Sequence, residues 1–265
     1  MANRYQNLIP VWIIIAKNKI QNQLLTPSSS FLFIIGKIFY FSFAVITIYT
    51  IFGNNRNIQG YTLPQALIFV VFFNLLESLT QFLFRSLYTF RNILIRGDFD
   101  LDLLKPLPSF FRPILSGPDF LDLPMIFIQF ISLVYLLIHY HFSLNLIDSS
   151  VLLIVFVLAF LISFSVHLSI AAFSILTTEI DSLVALYRNL GKAATVPTDI
   201  YTGPLRFILD YIVPITIIYT VPSKALTKIL SPNTLIFSVI YTLIFFSLSI
   251  LFWKKSLRHY SSASS

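Results

Sequence analysis

Long apolar runs divided by short polar breaks set the pattern of this chain. Runs of about 20 apolar residues have the length of a bilayer span, and the pattern predicts such spans over 31–52, 63–84, 124–142, 149–172 and 235–253. The first holds a single charge, Lys37, near enough to one end to reach the headgroups with its tip. The second carries Glu77 some two-thirds of the way along. An intramembrane carboxylate is a candidate functional group, and near a span end it can also simply meet the headgroups. Ahead of these spans, residues 4–25 hold the apolar block Leu8 to Ala16, too short to cross, and then Lys17, Lys19 and Gln21-Asn22-Gln23. This pattern predicts a helix lying in the membrane interface, with Trp12 at headgroup depth.

One further crossing is ambiguous. The favoured choice is 173–196, which places Asp181, Arg188, Lys192 and Thr195 on one helical stripe. Such a stripe has to face protein or a watery path, because lipid would penalise it. Glu179 adds to its polarity. On that choice 197–232, broken by Pro197, Pro214 and Pro222, forms a re-entrant pair of helices on the outer side. The alternative lets Leu205 to Pro222 cross and leaves the stripe on a surface helix. Either choice gives an all-α polytopic fold with six crossings, one transmembrane domain over 1–265.

Composition changes the picture by exclusion. The chain is 57% hydrophobic and 11% charged, against about 25% charged in soluble domains, and its mean hydropathy is +0.83. No separate soluble domain fits. Without a Gly-x-x-x-x-Gly-Lys-Ser/Thr phosphate loop, any ATP hydrolysis has to come from another chain. The net charge of +7 follows the positive-inside bias rather than nucleic-acid binding. Lys17 and Lys19, the loop with Arg85, Arg91, Arg96, Lys105 and Arg112, and the tail with Lys254, Lys255 and Arg258 are expected in the cytoplasm, and with them both termini. The first apolar run lacks a cleavable-signal pattern, and the absence of cysteine excludes disulfides and thiolate metal sites.

The most charge-dense run, 96–106, reads as a short surface helix. Asp98 can cap it, Asp100 and Asp102 suit its positive end, Lys105 its negative end, and Pro106 stops it. Phe99, Leu103 and Leu104 then share a face that can press into a partner, unless the loop merely lies against headgroups. The Asp98-x-Asp100-x-Asp102 spacing suggests divalent metal, but Leu103 and Ser109 stand where a calcium loop needs Gly and Glu. His139 and His141, two apart, cannot share a helix face and read as interfacial residues. No metal site is expected.

Three passages resemble the membrane subunits of ABC-2 type ABC transporters, in the branch described as ABC-2 family transporter protein. They are Arg96-Gly97-Asp98-Phe99-Asp100 to Leu104-Lys105-Pro106-Leu107, the run Val196-Pro197-Thr198-Asp199-Ile200-Tyr201 through Arg206 to Val213-Pro214 and Val221-Pro222, and the tail Phe252-Trp253-Lys254-Lys255 to Ser262-Ala263. The resemblance runs in order along nearly the whole chain. It implies a type V exporter-like permease that pairs as a homo- or heterodimer in the cell (inner) membrane and is driven by a separate ABC ATPase that binds ATP and Mg. Gly97, Asp98, Phe99, Asp100, Leu103, Leu104, Lys105 and Pro106 would form its ATPase-coupling helix. Pro197, Tyr201, Arg206, Pro214 and Pro222 would belong to its outer gate, and Glu77, Asp181, Arg188 and Lys192 are candidates for the pathway. An exporter of a lipid-like or drug-like amphiphile is the expected function, with a lipid- or sugar-modifying membrane enzyme as the alternative and a channel or structural subunit behind it.

Overall fold

The computed structural model describes residues 8–25, 27–53, 57–58, 60–115, 117–177 and 180–261. Arg4 to Asn7, Glu179 and the Ser262-Ala263 end of the tail, all used above, lie outside them. The described residues form an all-α fold: α1 (Leu8–Leu24), α2 (Pro27–Phe52), α3 (Leu63–Phe84), α4 (Phe90–Ile95), α5 (Asp98–Leu103), α6 (Leu123–His139), α7 (Leu146–Thr177), α8 (Ile180–Ala193), α9 (Gly203–Phe207), α10 (Val221–Leu226) and α11 (Pro232–Arg258). Five helical stretches among them are long and apolar enough to cross a membrane: Pro27–Phe52, Leu63–Ile95, Phe111–His139, Leu146–Thr177 and Pro232–Arg258. The chain is a multi-pass membrane protein.

Side-chain pairs define the two ends of the bundle. At one end Lys37 of α2 pairs with Asp122, just ahead of α6, and Arg85, just after α3, reaches Asp119 at 2.5 Å and Asp122 at 3.2 Å. Phe33 lies under both cations, about 5 Å from each, and Gln23 of α1 donates to Asp119 at 2.7 Å. This is the basic end. At the opposite end Tyr61, ahead of α3, donates to Asp199 at 2.9 Å, and Asp148 at the start of α7 pairs with Lys228 at 2.7 Å. α3 is the buried centre, apolar from Ala66 through Phe73 because protein rather than lipid surrounds it on every face. α2 and α11 instead expose Phe39, Phe43, Ile46, Leu243, Ile244 and Leu251, as helices do where lipid is the solvent.

The helix boundary expected at 172/173 is corrected. Phe173 to Thr177 continue α7, which runs 32 residues, because nothing in that apolar stretch breaks a helix. α8 then folds back along it: Tyr187 meets His167 edge-on at 5.1 Å, although 20 residues of straight helix would separate them by about 30 Å. α8 has 14 residues, about 21 Å, and does not span a bilayer by length. The chain nevertheless passes between the two ends here, from Asp181, 3.7 Å from Arg91, to Asp199 beside Tyr61.

Between α8 and α11 the chain makes a hairpin whose arms, Gly203–Ile212 and Thr216–Leu226, are bent by 74°. Gly203 adopts a φ of +67°, which favours glycine, and Pro204 follows at the start of α9, where its missing N–H costs nothing. Pro214 breaks the backbone ladder at the apex, between two wide helical turns at Ile208–Ile212 and Thr216–Thr220. Asp199 ahead of the first arm and Lys228 after the second both lie at the Tyr61 end of the bundle.

Candidate functional site

Around α5 the local sequence sets a sharp turn. Gly97 joins α4 to α5 at φ +74°, and Asp100 N–H bonds back to its carbonyl at 3.1 Å. The cap expected of Asp98 is corrected: Gly97 holds the cap position without a side-chain bond, and Asp98 is the first helical residue. Its charge and that of Asp100 still favour the positive end. The apolar face is corrected as well. Phe99 is fully buried within its own chain, while Leu104 is 82% exposed and Leu101, 60% exposed, points outward one turn before it. Leu103 is exposed too, and Lys105 leans back on Asp102 at 2.8 Å.

What buries Phe99 lies far along the sequence. Its ring packs edge-on against Phe90 at 5.3 Å, Trp253 at 6.3 Å and Tyr260 at 5.2 Å, and the Trp253 indole donates to Ser109 Oγ at 2.9 Å. The end of α11 thus clamps α5. Burial, and then the facing Asp100 carboxylate, push the Tyr260 hydroxyl up to about 12, so it stays a neutral donor at physiological pH. α5 is therefore fixed to α4 and α11 on one side and bare on the other.

The hairpin forms a second centre at the opposite end. Thr198 Oγ1 lies 2.8 Å from Thr216 Oγ1 and 3.1 Å from Thr220 Oγ1, and Lys224 pairs with Asp199 at 2.5 Å. The second arm is buried against α3 and α7. The first arm lies beside α11 in an aromatic row of Phe207, Tyr211, Phe237 and Tyr241, closed by Tyr241 donating to the Tyr211 carbonyl at 2.5 Å. Of the residues read as a gate, Pro197 starts the turn at Thr198–Ile200, Tyr201 ties that turn to the Ala193 carbonyl at 2.8 Å, Pro214 is the apex and Pro222 opens α10. Arg206 stands apart on the exposed arm, 3.4 Å from Asp210.

Inside the bundle Glu77 accepts a hydrogen bond from Tyr219 of the hairpin. Gln81 donates to the same carboxylate at 3.1 Å and meets the Tyr88 hydroxyl at 3.0 Å, and the Arg188 guanidinium sits 5.8 Å over the Tyr88 ring. Glu77 and Arg188 thus join one network. Asp181 and Lys192 stay outside it, exposed with Arg188 along the outward face of α8, and Lys192 donates to Asn189 at 3.2 Å. Sequence reasoning passed over Tyr219 and His167. The histidine could have been found, since an ionisable group in the middle of the most apolar run is itself a functional signal. Tyr219→Phe is expected to remove a bond to a charged acceptor worth about 1.5–3 kcal/mol and to loosen the second arm. In this cysteine-free chain, the maleimide labelling rate of a Ser223→Cys reporter should rise about tenfold; an unchanged rate would mean the bond does not hold the arm.

A clamped short helix at one end, a proline-broken hairpin at the other and an internal polar network between them are the features of this bundle. A family model described as ABC-2 family transporter protein matches residues 38–264, so the chain belongs to that family of ABC transporter membrane subunits. No curated protein and no solved structure matches it.

Proposed function

We propose that the chain is the membrane half of an exporter whose ATP and Mg are bound by a separate ABC ATPase docked on the outward face of α5. The observation that carries this reading is the division of α5 into a buried side anchored by Phe99 and a bare side presenting Leu101 and Leu104. A leucine face left in water at the membrane surface costs free energy until something covers it. The basic end lies in the cytoplasm of the cell (inner) membrane by the positive-inside bias. Movement imposed on α5 passes through Phe99 and Trp253 to α11, and the aromatic row on α11 carries it to the hairpin. The hairpin is the outer gate, with Glu77 and Tyr219 its inner latch.

The exposed stripe of Asp181, Arg188 and Lys192 cannot face lipid. It faces a path shared with a second permease, a copy of this chain or a related one, and the aromatic walls suit an amphiphilic, lipid-like or drug-like cargo. Affinity purification of the tagged chain from its native membrane in mild detergent, followed by mass spectrometry, tests this. Recovery of a P-loop ATPase in stoichiometric amount is the expected result. A permease recovered repeatedly with no ATPase would contradict it.

A further inference from the structure

The hairpin, the polar network and the outward side of α5 belong to the transport reading, whereas the inward side of the α5 loop borders something else. A cavity of about 700 Å³ lies there between α1 and the loop. Val11 and Ile15 of α1 and Ile93 of α4 form its apolar wall, and Asp102, Lys105 and Arg112 form its charged corner. Asp102 is buried, and one of its oxygens takes both Arg112, at 2.6 Å, and Lys105, at 2.8 Å. Its other oxygen is buried without a partner.

We propose that this cavity holds an anionic phospholipid, drawn from the leaflet at the basic end. The phosphate lies against Lys105 and Arg112, and the first acyl carbons run along Val11, Ile15 and Ile93. Three features select this occupant. The cavity is apolar on one wall and charged on the other, as an amphiphile requires, and its volume is that of a small-molecule site. Two cations against one carboxylate leave a net positive corner, and Asp102 holds both in fixed positions for a phosphate. The cavity lies between α1 and the loop after α5 at the basic end of the bundle, where basic pockets meet anionic headgroups. The lipid then braces the inner side of the α5 loop. The inference rests on the basic end lying at a leaflet surface and is independent of what docks on the outer side.

The test uses the purified full chain in detergent, titrated with dioleoyl phosphatidylglycerol or dioleoyl phosphatidylcholine and read by native mass spectrometry. One phosphatidylglycerol is expected to be retained at a concentration about tenfold below that for phosphatidylcholine, a difference of about 1.4 kcal/mol. Lys105→Gln with Arg112→Gln should erase the preference. Ile15→Trp, which fills the apolar half and keeps every charge, should weaken retention of both lipids about tenfold, so the outcome does not hang on a charge variant that fails to fold. Equal retention of the two lipids would overturn the proposal. So would millimolar inorganic phosphate displacing the lipid with Ile15→Trp silent, the sign of a free-anion site. Failure to recover an ATPase from native membranes would leave this result untouched, so the two readings fail separately.

Discussion

Asp122→Ala is expected to lower the stability of the folded chain by about 3–5 kcal/mol, the usual cost of removing one partner from a buried ion pair. Asp122 has no exposed side chain and holds Lys37 of α2 and Arg85 after α3 together ahead of α6, so its loss leaves two cations facing each other at a junction of three spans. Arg85 keeps Asp119, but Lys37 has no other carboxylate among its described ion pairs. In a chain of this size the thermal midpoint in detergent should fall by about 10 °C. The companion variant Lys37→Met with Asp122→Leu should recover much of the loss, because it removes both charges rather than stranding one. If Asp122→Ala melts like the parent, the cluster contributes nothing and the junction is held by apolar packing alone.

Asp98→Ala combined with Leu104→Ala is expected to uncouple the machine without unfolding it. Leu104 is 82% exposed and Asp98 makes no capping bond, so the free chain loses at most the modest helix-dipole contribution, about 0.3–1 kcal/mol. The complex loses more. A leucine buried on docking contributes about 1.5–3 kcal/mol, which weakens the joint with an ATPase about 10- to 100-fold. Membrane levels should stay near those of the parent while cargo movement falls at least tenfold and ATP hydrolysis by the partner continues. Phe99→Ala would not serve as the test. Phe99 is fully buried among Phe90, Trp253 and Tyr260, and truncating it costs about 3–5 kcal/mol, mixing loss of coupling with loss of fold. Unchanged transport by the Asp98 and Leu104 double variant would remove α5 from the coupling path.

The all-α polytopic fold was legible in the apolar runs, since a bilayer leaves the backbone few alternatives, and the family was legible in the α5 loop, the proline-rich run and the Trp253-Lys254-Lys255 tail. Other features depend on contacts that no local pattern carries. A six-residue helix shows Phe99, Leu101, Leu103 and Leu104 as apolar positions, but which of them turns inward is decided by Trp253 and Tyr260, more than 150 residues later. The fold-back of α8 is similar. The polar stripe made 173–196 read as one crossing, whereas Phe173 to Thr177 continue α7 and Tyr187 packs back on His167. Glu77 could be placed in the membrane from its position alone, whereas its partner Tyr219 lies 142 residues on and meets it only once the hairpin has folded in. The Asp119 and Asp122 pairing was hidden too, because Lys37, Arg85 and Gln23 lie on other elements and meet these carboxylates only once the bundle has closed.

A photocrosslinking residue placed at Leu104 in the native membrane tests the central claim most directly. Leu104 faces outward from α5, whereas Leu243 is exposed on the lipid-facing side of α11 and serves as the control. The account predicts that light captures a P-loop ATPase from Leu104 and not from Leu243. Capture of that ATPase equally from both positions, or of lipid alone from Leu104, would contradict it.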